Sequence, residues 1–146
     1  MKFASNVLSL FEENVQRGYG RNETVGQLYA RELTTTDIVI EHATVLPPVS
    51  ASPTGVRFST YQAFDERAKL FEIGLHCVGL WHTHPVSTPK PSMKDELLAA
   101  NYARAAAKDL PGVVFVILGT KPFPRGIGVW FHDQKSLRQL TLEASR

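Results

Sequence analysis

A single cysteine, Cys77, occurs in the 146 residues. No disulfide can form within the chain, and a reducing, intracellular setting fits it best. No apolar run approaches the roughly 20 residues needed to cross a bilayer. The opening MKFASNVLSLFEEN has a lysine and several apolar residues, but Asn6, Ser9, Glu12 and Glu13 interrupt them. It reads as an amphipathic helix rather than a signal peptide. Blocks of like charge are also missing. Sixteen Lys and Arg against fourteen Asp and Glu leave a formal charge of +2, too little for a nucleic-acid footprint or a basic membrane-surface patch. There is no internal repeat, low-complexity tract or domain-scale linker. The expectation is a soluble cytoplasmic protein with one domain over residues 1–146, whose 43% hydrophobic content suffices for a core.

The periodicities outline that domain. Phe3, Val7, Leu10 and Phe11 form one stripe of an opening helix, ended by Gly18 and Gly20. Residues 23–30 (ETVGQLYA) and 37–46 (DIVIEHATVL) lean toward strand, joined by a polar turn at 34–36. Residues 47–55 are proline, small or polar apart from Val49, which predicts a surface loop. Ser59 and Gln62 have capping-box spacing, and Phe64, Ala68 and Phe71 then mark a helical face. Strand returns at 76–84, an alanine-rich helix covers 92–108, and the apolar run 113–118 predicts a strand buried on both faces. Residues 127–132 and 140–143 read as closing strands. The order predicts a mixed α/β domain (α+β), with helices packed on one twisted sheet.

The chemistry gathers in GLWHTHPVSTPKPSMKD, residues 79–95. His82 and His84 are two apart, so on a strand both imidazoles point to one face and Thr83 to the other. Pro85 forbids a regular continuation and keeps His84 extended, which places both histidines at a strand end. Ser92 is a good helix N-cap, and Asp95 sits where a carboxylate favours the helix dipole. Yet Asp95, Leu98, Tyr102 and Ala105 trace the apolar face of that helix, while Glu96 turns outward. A carboxylate entering on the buried side needs a partner there, and a cation shared with the two imidazoles supplies one.

Two imidazoles and one carboxylate leave zinc a fourth position for water, the pattern of a catalytic site. A structural zinc would want a fourth protein ligand. Cys77 has odd parity relative to His82 and is expected on the other face. His76 lies on the order of 20 Å away at about 3.3 Å per strand residue, and His42 and His132 read as ordinary core or surface residues. A zinc with an open position makes water a nucleophile near neutral pH. Hydrolysis then needs a base and a donor for the developing oxyanion. Ser92 suits the donor. For the base, the residues alone leave Glu23, Glu32, Glu41, Asp65, Glu66 and Glu72 open.

The spacing His82-x-His84-x7-Ser92-x2-Asp95 resembles the JAMM motif of the JAB/MPN family of zinc-dependent isopeptidases. The run-up Gly79-Leu80-Trp81-His82-Thr83-His84-Pro85 is similar to that family's consensus, and the compact form most resembles stand-alone prokaryotic members. Upstream, Glu23-Thr24-Val25-Gly26-Gln27-Leu28-Tyr29-Ala30 resembles the family's E-x-x-G-x-L-x-G segment, with Ala30 in place of the last glycine.

The resemblance implies a JAB/MPN fold over essentially the whole chain. His82, His84 and Asp95 would bind Zn2+, Glu23 would act as the catalytic base, and Ser92 would bond the oxyanion. The bond cut would follow the C-terminal tail of a ubiquitin-like protein, in deconjugation or precursor processing, with residues 47–57 forming part of the tail groove. By similarity alone it also implies activating- and conjugating-enzyme homologues in the same operon, including anti-phage operons. Processing of a sulfur-carrier protein or small peptide conjugate, or a non-catalytic MPN scaffold, are the alternative readings. Oligomeric state is not legible.

Overall fold

A computed structural model describes residues 1–18, 20–33 and 37–141. In chain order the elements are β1 (Lys2–Phe3), α1 (Ser5–Asn14), β2 (Val25–Ala30), β3 (Val39–Ile40), β4 (His42–Ala43), β5 (Pro48–Ser52) and β6 (Gly55–Phe58). There follow α2 (Thr60–Glu72), β7 (His76–Thr83), α3 (Met93–Ala105), β8 (Val113–Leu118), β9 (Ile127–His132) and β10 (Leu137–Leu140). The central sheet runs β10-β9-β8-β7-β2-β4. Only β7 and β8 are parallel within it; α3 makes the long crossover that a parallel pair requires.

The apolar run of β8 is buried throughout, as its unbroken hydrophobicity predicts. Val114, Val116 and Leu118 pack with Val7 and Phe11 of α1 and with Trp81 and Leu28. Phe115 and Ile117 alternate to the opposite face, against Leu80, Trp130 and Ala99 of α3. The sheet is therefore the middle layer, and its carboxyl-terminal strand ends open beside the start of α3. Among the described residues no helix is long and apolar enough to cross a membrane.

Several expectations need correction. Phe3 precedes α1; it sits on β1 and meets Phe11 edge-on with ring centroids 5.6 Å apart. The 37–46 run is not one strand. Its β3 part pairs with β1 and its β4 part with β2, although Glu41, Thr44 and Leu46 still donate backbone N–H groups along β2. Residues 47–55 do not form a plain loop. They belong to the β5–β6 hairpin, turning at Ser52–Gly55. Most of this hairpin is exposed, so no hydrophobic alternation marks it.

The α2 face is also reversed. Phe64 and Phe71 are 63% and 62% exposed, and Ala63 is the buried residue. Its inward side uses Glu66 and Arg67, which hydrogen-bond to Gln27, Tyr29 and Thr44, and an apolar periodicity cannot register polar contacts. The last strand is Leu137–Leu140 rather than 140–143. Residues 142 and 143, and the turn expected at 34–36, lie outside the described residues.

Gly26 and Trp81 join this frame to the edge of the sheet. Trp81 Nε1 donates to the Thr44 carbonyl at 2.8 Å. A Cβ on Gly26 would sit 1.6 Å from that same oxygen and 2.5 Å from Trp81 Nε1. Gly26→Ala is expected to push β4 off the sheet and break the indole hydrogen bond, costing about 3 kcal/mol. A urea melt followed by tryptophan fluorescence checks this; an unchanged midpoint would contradict it.

Candidate metal centre

Strand β2 begins two residues after Glu23, and the chain locks its approach. Glu23 N–H donates to the Ser52 carbonyl at the hairpin turn (2.9 Å), and Thr83 N–H donates to the Thr24 carbonyl (3.0 Å). Thr24 N–H in turn donates to Thr83 Oγ1 at 2.9 Å. Thr83 points away from the histidines as its parity requires, and there it fastens the segment after Glu23 to the end of β7. Thr83 stands within the motif's run-up, but the motif alone does not tell which backbone group it holds.

His82 is paired with Val25 in register, so its side chain shares a sheet face with Gln27 and Leu80. His84 follows the last ladder residue, its N–H bonded to the Leu118 carbonyl at 2.9 Å. The two imidazole centroids lie 4.5 Å apart, and the His82 ring meets Phe115 edge-on at 5.0 Å. After the prolines, α3 starts at a complete capping box. Ser92 Oγ accepts from Asp95 N–H (3.2 Å), and Ser92 N–H donates to Asp95 Oδ2 (2.7 Å). This cap turns Asp95 inward, buried, while Glu96 is exposed.

The four groups meet. Asp95 Oδ1 is 3.0 Å from His82 Nε2, and Asp95 Oδ2 is 3.3 Å from His84 Nε2. Glu23 Oε1 lies 3.7 Å from both His82 Nδ1 and His84 Nε2. Atoms of Glu23, His82 and His84 all lie within 4.8 Å of one another, as a set able to hold a metal ion must. Ser92 stands beside them at the surface; its oxygen accepts in the cap, which leaves the hydroxyl proton free to be donated.

Electrostatics favour a cation at this point. Two buried carboxylates face two imidazoles, and leaving that charge unmatched is costly. Burial alone would drive the His82 imidazole toward neutrality, but the Asp95 and Glu23 carboxylates outweigh it and hold its pKa above the ordinary value. Burial likewise opposes ionisation of Asp95, yet the two histidines and the Ser92 N–H hold its carboxyl well below the usual range. His82 Nε2 is fully buried and makes no aligned hydrogen bond despite its closeness to Asp95. An orphaned buried nitrogen aimed at a carboxylate fits a shared metal ion better than a completed hydrogen bond.

The other histidines stay outside. His76 meets Phe71 edge-on, His42 lies against Tyr29, and His132 accepts from Gln134 N–H. Cys77 corrects the parity argument. A bulge at Val78 pairs Tyr29 with Cys77, which returns the thiol to the face of Gln27 and His82. There Sγ approaches Gln27 Oε1 (3.9 Å) and donates to the Gly79 carbonyl (3.4 Å), outside the metal-binding group.

Burial pushes the Cys77 thiol up to about 11. Because the folded-state value is raised, any stability linked to this thiol is complete below the unfolded pKa and lost as pH rises through the folded one. Alkylation by iodoacetamide at pH 8 is expected to be at least about tenfold slower in the folded protein than in urea. Equal rates would contradict a half-buried thiol held protonated.

A model of prokaryotic homologs of the JAB domain matches residues 7–132. A Desulfitobacterium hafniense protein solved in solution shares the fold with a TM-score of 0.70 and 16% identity, over 95% of this chain and 88% of its own. A Salinibacter ruber protein gives 0.58 and 17%, over 97% and 90%. A JAB1/MPN domain protein from Archaeoglobus fulgidus gives 0.54 and 18%, over 98% and 97%. No curated protein matches. With the matched model spanning β2 to β9, most of α1, all of α2 and α3, and the histidine pair, the chain belongs to the family of prokaryotic homologs of the JAB domain.

Proposed function

We propose that this protein is a zinc-dependent isopeptidase or peptidase that hydrolyses the bond following the C-terminal tail of a ubiquitin-like protein. The observation that carries the reading is the meeting of Glu23, His82, His84 and Asp95 at one buried point, with the Ser92 hydroxyl beside it. His82, His84 and Asp95 would hold the zinc. When bound, the ion supplies Lewis-acid polarisation and lowers the pKa of water. Glu23 takes the proton of the attacking water and delivers it to the leaving amine, so it ends the cycle ionised as it began. Ser92 donates its hydroxyl to the oxygen on which negative charge develops.

The β5–β6 hairpin supports the choice of an extended substrate. Its turn is bonded to the Glu23 backbone, and β5 is largely exposed. An extended tail can add to such an edge through main-chain hydrogen bonds.

Purified protein is expected to carry about one zinc per chain and to cleave a ubiquitin fusion bearing a C-terminal extension. A zinc chelator is expected to abolish cleavage, and added Zn2+ to restore it. Undiminished cleavage after complete zinc removal would overturn the proposal.

A further inference from the structure

Helix α3 carries Asp95, and it packs on the sheet through Ala99 and the partly buried Leu98 and Tyr102. Its fully buried residues beyond Asp95 are Ala99 and Ala103. A methyl group set against Leu80, Phe115, Ile117 and Trp130 fills space without interlocking. Two turns beyond Asp95, roughly 10 Å along the axis, Tyr102 also makes a directional contact. Its hydroxyl donates to Gln27 Oε1 at 2.8 Å. Gln27 is fully buried on β2, four residues after Glu23.

Gln27 is itself held from several sides. Arg67 Nη1 donates to Gln27 Oε1 at 2.7 Å and to the Tyr102 oxygen at 3.3 Å. Gln27 Nε2 donates to the Ala63 carbonyl (3.1 Å) and to Glu66 Oε1 (3.0 Å). Tyr29 and Thr44 hydroxyls donate to that same Glu66 oxygen, each at 2.6 Å. The amide therefore cannot turn without breaking contacts to two helices. The Arg67 guanidinium also lies over the Tyr102 ring, 5.4 Å from its centroid. Burial above all keeps the Tyr102 hydroxyl protonated far above its usual range, so it remains a donor.

We propose that Gln27 and Tyr102 are a positioning pair for the metal centre, locking α3 along the sheet so that Asp95 stays in reach of His82 and His84. This rests on the metal-centre reading above. Neither residue touches the reacting groups; the pair acts by joining the strand that follows Glu23 to the helix that bears Asp95.

Tyr102→Phe keeps the ring and removes only the hydroxyl. It is compared with Val7→Ala, a core truncation in α1 on the opposite face of the sheet. Zn2+ affinity is measured by chelator competition at a temperature where both variants and the parent are folded. Tyr102→Phe is expected to lose about tenfold in affinity, as the weakening of an outer support does, and Val7→Ala to keep the parental value. Equal affinities for Tyr102→Phe and the parent, or equal losses in the two variants, would overturn the pair's role.

A parent that binds no Zn2+ would fail the metal-centre reading instead. The pair is then tested by amide spectra of the metal-free proteins. Tyr102→Phe shifting the Ser92 and Asp95 amides supports it, and shifts confined to the neighbours of residue 102 overturn it.

Discussion

Glu23→Gln is expected to bind zinc as tightly as the parent and to cleave about 10²- to 10⁴-fold more slowly, the usual contribution of a positioned base. Glutamine keeps the shape of the side chain but cannot carry the proton. The measurement separates two ways of using the same four residues. If Glu23 is the base and Asp95 the ligand, turnover collapses and metal affinity stands. If Glu23, His82 and His84 form the ligand set, as their 4.8 Å grouping allows, affinity falls with turnover. The approach of Asp95 to both histidines at 3.0 and 3.3 Å, against 3.7 Å for Glu23, supports the first arrangement. Zinc affinity and single-turnover cleavage, measured on the same preparation, decide between them.

Asp95→Asn should show the opposite pattern. The amide oxygen can still accept from the Ser92 N–H, so the start of α3 is retained. The negative charge facing the histidines is gone, and zinc affinity is expected to fall by at least about 100-fold, the upper end of what outer-shell changes cost. Zinc at a hundredfold excess over the parental Kd stabilises a binding-competent fold by about 2.7 kcal/mol, roughly 5–10 °C in Tm for a domain of this size. The parent should show that rise and Asp95→Asn should not. An Asp95→Asn protein that still gains the full increment would remove Asp95 from the ligand set.

The legible parts of the site and fold share one property: they are written in local chemistry. His82 and His84 share a strand face by period alone, Pro85 ends the strand, and Ser92 caps a helix that turns Asp95 inward. Strand β8 announces itself by an unbroken apolar run. Where the reading failed, no local apolar pattern marked the outcome. The inward side of α2 is set by Glu66 and Arg67 meeting Gln27, Tyr29 and Thr44, so Phe64 and Phe71 face solvent. The β5–β6 hairpin buries too little to leave a pattern. One bulge at Val78 moved Cys77 to the other face, and a bulge is a tertiary accommodation rather than a composition.

By itself the sequence determined which groups can do chemistry and the local geometry of three of them. His82, His84 and Asp95 lie within fourteen positions joined by a strand end, a proline turn and a cap. The residues alone left the facing carboxylate open among several, the motif resemblance pointed to Glu23, and the tertiary structure brings Glu23 beside both histidines. Its place depends on β2 pairing with β7 in the register Val25–His82 and on the Ser52 and Thr83 bonds that hold the segment. Strand register and long-range hydrogen bonds join residues some sixty positions apart, and no local period encodes which distant partner a strand will take.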